Sequence, residues 1–192
     1  PVDQTLASLE KAGVEYVVFD GAEENPKIRD IKKGKQIYLD NNCDSIITVG
    51  GGSAHDCGKG IGIILTNGDD ITKLAGIETL DKPLPPLMAV NTTAGTGSEL
   101  TRHAVITNEE THLKFVVVSW RNIPLVSFND PMLMLGIPKA TTAATGLDAY
   151  VQAVEPYVSV DHNDITDSQC EKAIKLIQQY LPEAVANGNN VE

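Results

Sequence analysis

The chain has 192 residues, of which 42% are hydrophobic and 21% charged, and this composition is typical of a folded protein and not of a disordered one. Its formal net charge of −11 at pH 7 and its pI near 4.7 disfavour nucleic acid and anionic membranes as partners, because phosphate-rich surfaces are bound by basic proteins. No apolar run approaches the roughly 20 residues of a membrane-spanning helix, and the N-terminus lacks a signal-peptide pattern, so we expect a cytoplasmic protein.

Short apolar runs alternate with amphipathic stretches from Pro1 to about Pro138. Helices are predicted over 5–12, 28–41 and 54–65. Strands are predicted over 16–19, 45–49, 87–90, 104–106, 115–118 and 125–128. Such βα repeats favour an α/β fold, with a Rossmann-like parallel sheet and flanking helices. Three prolines close to one another within 69–86 predict a surface loop there.

The pattern changes after Pro138, where two helical stretches, 141–157 and 166–186, follow without a convincing strand. We therefore predict an α/β dinucleotide-binding domain over 1–138 and the start of an all-helical domain over 139–192. The chain begins inside a helical pattern without a methionine. We expect it to be an internal fragment of a longer chain, incomplete at both ends.

The sequence SIITVGGGSAHD, residues 45–56, is a β-branched run that ends in three glycines. Glycines let the backbone approach a ligand closely, and the first amides of a helix attract anions, so this joint suits a phosphate. Ser53 and Asp56 have the spacing of a capping box that would fix the start of the helix. A tight strand–helix joint without any ligand uses the same residues, so the motif alone leaves both interpretations open.

A second polar loop, VNTTAGTGSELT, follows the predicted strand 87–90. Its hydroxyls and amides suit phosphate and ribose oxygens, although such a turn can also satisfy its own backbone. Two polar loops at the carboxyl ends of two strands favour a shared ligand crevice. The spacing fits neither the Walker motif nor the G-x-G-x-x-G fingerprint. We therefore expect an atypical phosphate site.

Asp148 and Gln152 are four residues apart in a predicted helix and share one face, with Glu155 close to that face. The carboxylate could bind a metal ion, or the face could simply be solvated. Of the histidines, His55 either flanks a cofactor or is a partly buried structural residue. His112 and His162 are expected to be exposed.

The segments TVGGGSAHDCGKGIGI, AVNTTAGTGSELTRH, KFVVVSWRNIP, VSFNDPMLMLG and KATTAATGLDA together resemble the iron-containing alcohol dehydrogenases, a metal-dependent NAD(P) family. The resemblance extends over essentially the whole chain. It implies an N-terminal sheet domain for the dinucleotide and a C-terminal helical domain that holds divalent iron through one Asp and three His.

The resemblance also implies roles for individual residues. Gly51, Gly52, Ser53 and Asp56 would contact the pyrophosphate, Thr92, Thr93 and Thr96 the phosphates and ribose, Thr101 and His103 the nicotinamide side, and Lys114 the ribose. Asp148 matches the metal-binding aspartate, but Gln152 occupies the position of the first metal-binding histidine. An amide oxygen binds a borderline transition metal less well than imidazole does. Pro156 should further weaken that helix, by about 3 kcal/mol.

The function implied is an NAD-dependent dehydrogenase of a small primary alcohol or diol, in which Fe(2+) or another divalent metal polarises the alcohol oxygen. A homo-oligomer is expected. The departures at Gln152 and Pro156 favour an alternative, a truncated or degenerate chain that binds nucleotide without catalysis. A metal-free member of the wider superfamily fits less well, because Asp148 keeps its family context.

Overall fold

The computed structural model describes residues 1–191. The helices are α1 (Val2–Lys11), α2 (Ile28–Asp40), α3 (Gly52–Thr66), α4 (Lys139–Tyr157) and α5 (Asp164–Ala186). The strands are β1 (Ile46–Gly50), β2 (Gly76–Ile77), β3 (Leu87–Asn91), β4 (His103–Asn108), β5 (Leu113–Val118) and β6 (Val126–Phe128). None of the helices within residues 1–191 has the length and apolar character needed to cross a bilayer.

The chain divides into two compact units. The first unit comprises Pro1–Thr92 and Ser98–Asn129, and the second comprises Thr93–Gly97 and the described residues from Asp130 onward. The predicted domain boundary near Pro138 stays a prediction.

In the first unit, β1, β3 and β6 form a parallel sheet in the order β1-β3-β6. The register sets Gly50 at the end of β1 beside Asn91 at the end of β3. The two strands therefore reach their carboxyl ends together, at the edge where parallel α/β sheets bind ligands.

A second sheet of the first unit has the order β2-β5-β4, and its strands β4 and β5 are antiparallel. The prediction of a parallel sheet is wrong for this pair. Only four residues separate Asn108 from Leu113, and a connection of that length joins antiparallel strands, whereas a parallel pair needs a long crossover. The Asn108 side-chain oxygen supports the turn by accepting the N–H groups of Glu110 and Thr111.

Helix α3 runs through the interior of the first unit and is buried on nearly all sides. Its isoleucines belong to the same core as Ile106 of β4 and Val117 of β5. Glycine at position 58 lets the helix lie against β1, because a Cβ atom there would stand 2.1 Å from Cγ2 of Thr48. The helix is thereby fixed with its N-terminus at the end of β1.

Two expectations for the first unit are wrong. Residues 16–19 form no strand, and Tyr16, Val17 and Val18 are exposed. β-branched and aromatic residues favour a strand only where another strand pairs with them, and within residues 1–191 none pairs with this segment. The segment 69–86 is not merely a surface loop, since it contains a 3-10 helix (Ile71–Leu74) and β2 and contributes Ile71 and Leu80 to the core.

The second unit consists mainly of α4 and α5, which pack closely on each other. A Cβ atom at Gly146 of α4 would lie 2.3 Å from Cδ1 of Leu181 on α5. Helix α4 continues through Pro156 to Tyr157. Because Pro156 lies in the last turn, the helix is not interrupted at Gln152, and the weakening expected there leaves the helix intact.

Candidate functional site

The joint between β1 and α3 is tight, since Gly51 alone separates the strand from the helix. Gly51 occupies the capping position of α3 and has no side chain, so the predicted capping box is wrong. Helix α3 begins at Gly52, which places Ser53 inside the first turn and not at the capping position. The Ser53 hydroxyl instead accepts the backbone N–H of Asn25 at 3.2 Å, and the Asp56 carboxylate accepts the Ser98 hydroxyl at 2.7 Å.

An uncapped helix start leaves its first amides available to a ligand, and these amides carry the positive end of the helix dipole. The second polar loop begins beside this joint, because the Thr92 amide donates to the Gly50 carbonyl at 3.0 Å. The structure thus brings Gly51, Gly52 and Thr92 together at one edge of the parallel sheet. The amides at the start of α3 would suit a pyrophosphate here, whereas the Thr92 amide donates to Gly50.

Lys114 on β5 is linked to the same joint through Asn25. The Lys114 ammonium donates to the Asn25 side-chain oxygen at 2.7 Å, and the Asn25 backbone N–H in turn reaches Ser53. Asn25 has a positive φ of 53°. Sequence reasoning missed Asn25, although an Asn-Pro pair with Pro26 is a turn signal that could have drawn attention to it.

Asp56 lies on α3 one turn after the joint. Burial raises the pKa of its carboxyl group, while the Ser98 hydroxyl and the charge of Lys59 oppose that shift. Thr101 and His103 follow Ser98, and the backbone carbonyls of both accept hydrogen bonds from the Lys59 ammonium, at 2.9 and 2.8 Å. Lys59 was not predicted, although a lysine inside the otherwise apolar run CGKGIGI is a signal for a buried charge.

Two interpretations were left open for His55, a neighbour of the cofactor and a structural residue, and its burial agrees with the second. It is 1% exposed, and its Nδ1 lies 2.7 Å from the Thr48 hydroxyl on β1. Burial, reinforced by the charge of Lys59, lowers its pKa to about 4, so the imidazole is neutral near pH 7. His112 and His162 are exposed, as predicted.

Thr93 and Thr96 belong to the second unit, unlike Thr92 and Thr101. Their loop lies close to α4, since a Cβ atom at Gly95 would stand 2.8 Å from the backbone oxygen of Thr145. The predicted phosphate loop is therefore divided between the two units.

Asp148 and Gln152 share one exposed face of α4, as predicted. The Gln152 amide donates to the Asp148 carboxylate at 2.9 Å, which leaves the amide oxygen as its metal donor. No group of three or more His, Cys, Asp and Glu side chains suited to a metal occurs in the part of the chain that the structure describes. Asp148 and Gln152 thus present a carboxylate and an amide oxygen next to each other on α4.

The parallel sheet, with α3 packed on β1, defines an α/β protein. The family model of the iron-containing alcohol dehydrogenases matches residues 1–131, and the model of the C-terminal part of the Fe-containing alcohol dehydrogenase family matches residues 142–192. The chain belongs to the iron-containing alcohol dehydrogenase family, which confirms the resemblance noted in its motifs.

Sequence matches to curated relatives extend over the whole chain. It is 57% identical over 191 residues to 1,3-propanediol dehydrogenase of Citrobacter freundii, a match that covers 100% of this chain and 49% of the relative. Lactaldehyde reductase of Escherichia coli is 40% identical, over 96% of this chain and 49% of the relative. The chain therefore spans about half the length of the curated relatives it matches.

Solved structures confirm the α/β fold followed by a helical part. An alcohol dehydrogenase from Oenococcus oeni is 79% identical, with a TM-score of 0.95 over 98% of this chain and 49% of that one. Sulfoacetaldehyde reductase from Bifidobacterium kashiwanohense, solved in complex with NAD+, is 36% identical, with a TM-score of 0.86 over 98% of this chain and 50% of that one.

Proposed function

We propose that the protein is an NAD-dependent, metal-containing dehydrogenase that interconverts a small primary alcohol or diol, such as 1,3-propanediol, and its aldehyde. The observation that carries the proposal is the uncapped start of α3 at the carboxyl ends of β1 and β3. Membership of the iron-containing family and the 57% identity to a 1,3-propanediol dehydrogenase support the reaction and the substrate class.

The dinucleotide site is assigned to the predicted domain 1–138. The amides of Gly51, Gly52 and Ser53 would hold the pyrophosphate, and Asp56 lies one turn further along α3. Thr92, Thr93 and Thr96 would bind the phosphates and ribose, Thr101 and His103 would line the nicotinamide, and Lys114 would reach the ribose. These residues would orient a nicotinamide, which supplies the hydride acceptor when bound, and would limit the access of water.

The metal site is assigned to the domain that begins at Lys139, with Asp148 and Gln152 as the residues of this chain that would hold the ion. A divalent metal, when bound, supplies a Lewis acid that lowers the pKa of the alcohol. Asp148 contributes a negatively charged oxygen and Gln152 a neutral one, so Asp148 should dominate the affinity. A homo-oligomeric state and a cytoplasmic location stay predictions.

The test of the cofactor site is the affinity of the protein for NADH, followed by fluorescence titration. We expect Gly52→Val to weaken NADH binding about tenfold or more, because the added side chain separates the amides from the pyrophosphate. Gly13→Ala is the control, since Gly13 has a φ of +70° and open space around it, so its substitution strains the backbone outside the joint. Equal NADH affinity in wild type and Gly52→Val contradicts the assignment.

The test of the reaction is NADH formation from 1,3-propanediol, measured together with the metal content of the purified protein. A second candidate function, nucleotide binding without catalysis, is favoured by Gln152 at the position of a metal-binding histidine. NADH binding without alcohol oxidation in metal-loaded protein supports that alternative. Activity unchanged in Asp148→Ala contradicts the metal-dependent mechanism.

A further inference from the structure

Lys59 is a fully buried lysine on α3, with 0% of its surface exposed. Its ammonium donates to three backbone carbonyls, those of Ser98 at 2.6 Å, Thr101 at 2.9 Å and His103 at 2.8 Å. The hydroxyls of Ser98 and Thr101 lie 3.2 and 3.4 Å away. An ammonium has three N–H donors, so the three carbonyls match its capacity.

The three carbonyls belong to one short segment, the turn 98–103, which leads into β4. The turn is held to α3 a second time, because the Ser98 hydroxyl donates to Asp56, three residues before Lys59 on α3. Asp56 and Lys59 thus hold the start of the turn from two positions about one helical turn apart on α3. Lys59 alone reaches on to the carbonyls of Thr101 and His103.

A buried ammonium is a costly way to fill a core. An apolar side chain of similar length would avoid the loss of hydration, but it would leave the three carbonyls without their donor and could not fix their direction. The arrangement therefore defines the conformation of the turn and satisfies its buried carbonyls.

We propose that Lys59 is a positioning residue, which holds the turn 98–103 in the conformation that sets Thr101 and His103 against the nicotinamide. This inference rests on the proposed function, because it assumes that these two residues line the cofactor. Lys59 itself is not a catalytic residue.

The charges around Lys59 also predict a pH dependence of NADH affinity, which is a second measurement that tests the proposal. Burial lowers the pKa of Lys59 to about 8, and the carboxylates of Asp56 and Glu99 oppose that shift. His55 and His103 also face this charge, and both have lowered pKa values. If the ammonium holds the turn, NADH affinity falls as the pH rises from 7 to 9.5, and this decline is absent when Lys59 is replaced.

The experiment compares Lys59→Met, which is close in length and uncharged, with wild type and with Lys35→Met. Lys35 is the matched control, because its ammonium donates to the Ile64 carbonyl near the other end of α3 at 2.9 Å. NADH affinity is measured by titration, and hydrogen–deuterium exchange is measured on the peptide that covers 98–103. We expect Lys59→Met to raise the Kd for NADH about tenfold and to speed exchange in that peptide, while exchange in β1 and β3 is unchanged.

A faster exchange throughout the chain, or a wild-type Kd in Lys59→Met, overturns the proposal. If Lys59→Met fails to fold, Lys59→Gln serves in its place, since it keeps two N–H donors but removes the charge, and the same two changes are expected. Failure of wild type to bind NADH would instead overturn the proposed function. The two failures are therefore distinguishable.

Discussion

His55 makes the stability of the protein depend on pH. The unfolded chain binds a proton at this residue near pH 6.5, whereas the buried imidazole does so only near pH 4. Its contribution to stability is therefore fully present above pH 6.5 and is lost as the pH falls toward 4. The loss amounts to about 3 kcal/mol.

We expect urea unfolding of His55→Gln to show a smaller loss of stability between pH 7 and pH 4.5 than wild type shows. Other groups, including Asp56, titrate in both proteins and cancel in the comparison. His112→Gln is the control, because His112 is exposed. An identical pH dependence in wild type and His55→Gln contradicts the assignment of this effect to His55.

Gln152 is the weaker of the two donors assigned to the proposed metal site, because its amide oxygen is neutral. Imidazole is a better ligand for iron than an amide oxygen, so we expect Gln152→His to bind Fe(2+) at least about tenfold more tightly than wild type. The measurement is a competition titration against a chelator.

Gln36→His is a matched control for the metal titration. The Gln36 amide also donates to a carboxylate four residues away, that of Asp40 at 2.7 Å, but on α2 in the first unit. We expect no gain in Fe(2+) affinity in Gln36→His, because a new histidine beside a carboxylate is not sufficient to form the metal site. Equal Fe(2+) affinity in wild type and Gln152→His would show that residue 152 is not a metal ligand.

At the scale of elements, the close approach of α3 to β1 depends on Gly58. Alanine normally favours a helix over glycine by about 1 kcal/mol, but a Cβ atom here would meet Cγ2 of Thr48 at 2.1 Å. Thr48 is β-branched and bonded to His55, so it cannot easily move aside. We expect the overpacking to dominate and Gly58→Ala to lower the free energy of unfolding by about 1–2 kcal/mol.

The comparison for Gly58→Ala is Gly34→Ala on α2. A Cβ atom at Gly34 would meet Cδ1 of Ile61 at 2.3 Å, which is the far end of a flexible side chain. Chemical unfolding should therefore show a smaller loss for Gly34→Ala than for Gly58→Ala. Equal losses would mean that the rigidity of Thr48 is not what decides the cost.

Features of this fold can be predicted from the sequence where they depend on neighbouring residues, and are missed where they depend on residues far along the chain. The joint at Gly51 was predictable because glycines next to a β-branched run act through neighbouring residues. Residues 16–19 were mispredicted because a strand needs a partner, and local propensity does not show one. Lys59 was missed for a similar reason, since its acceptors lie 39 to 44 residues further along the chain.

At the scale of the whole molecule, the net charge of −11 opposes the binding of an anionic dinucleotide. At the proposed dinucleotide site, affinity would then have to come from local donors, namely the amides of the joint and the Lys114 ammonium, and not from a basic surface. This agrees with a site in which backbone geometry matters more than charge. Substitution of a glycine in the joint should accordingly cost more NADH affinity than neutralisation of a surface lysine other than Lys114.

The cofactor and the metal are assigned to different residues, and the stabilisation of the protein by NADH can test the cofactor site independently of the metal site. NADH at a hundredfold excess over its Kd should stabilise the folded protein by about 2.7 kcal/mol, which raises the melting temperature of a chain of this size by roughly 5–10 °C. We expect this shift to fall to about half or less in Gly52→Val, because a tenfold higher Kd leaves NADH at only about ten times its Kd, and to be kept in Asp148→Ala, as measured by thermal unfolding with and without NADH. Loss of the NADH shift in Asp148→Ala would mean that cofactor binding depends on the metal site. Because the shift needs no turnover, it is expected for a dehydrogenase and for an inactive nucleotide-binding protein alike, and the alcohol-dependent formation of NADH then distinguishes the two.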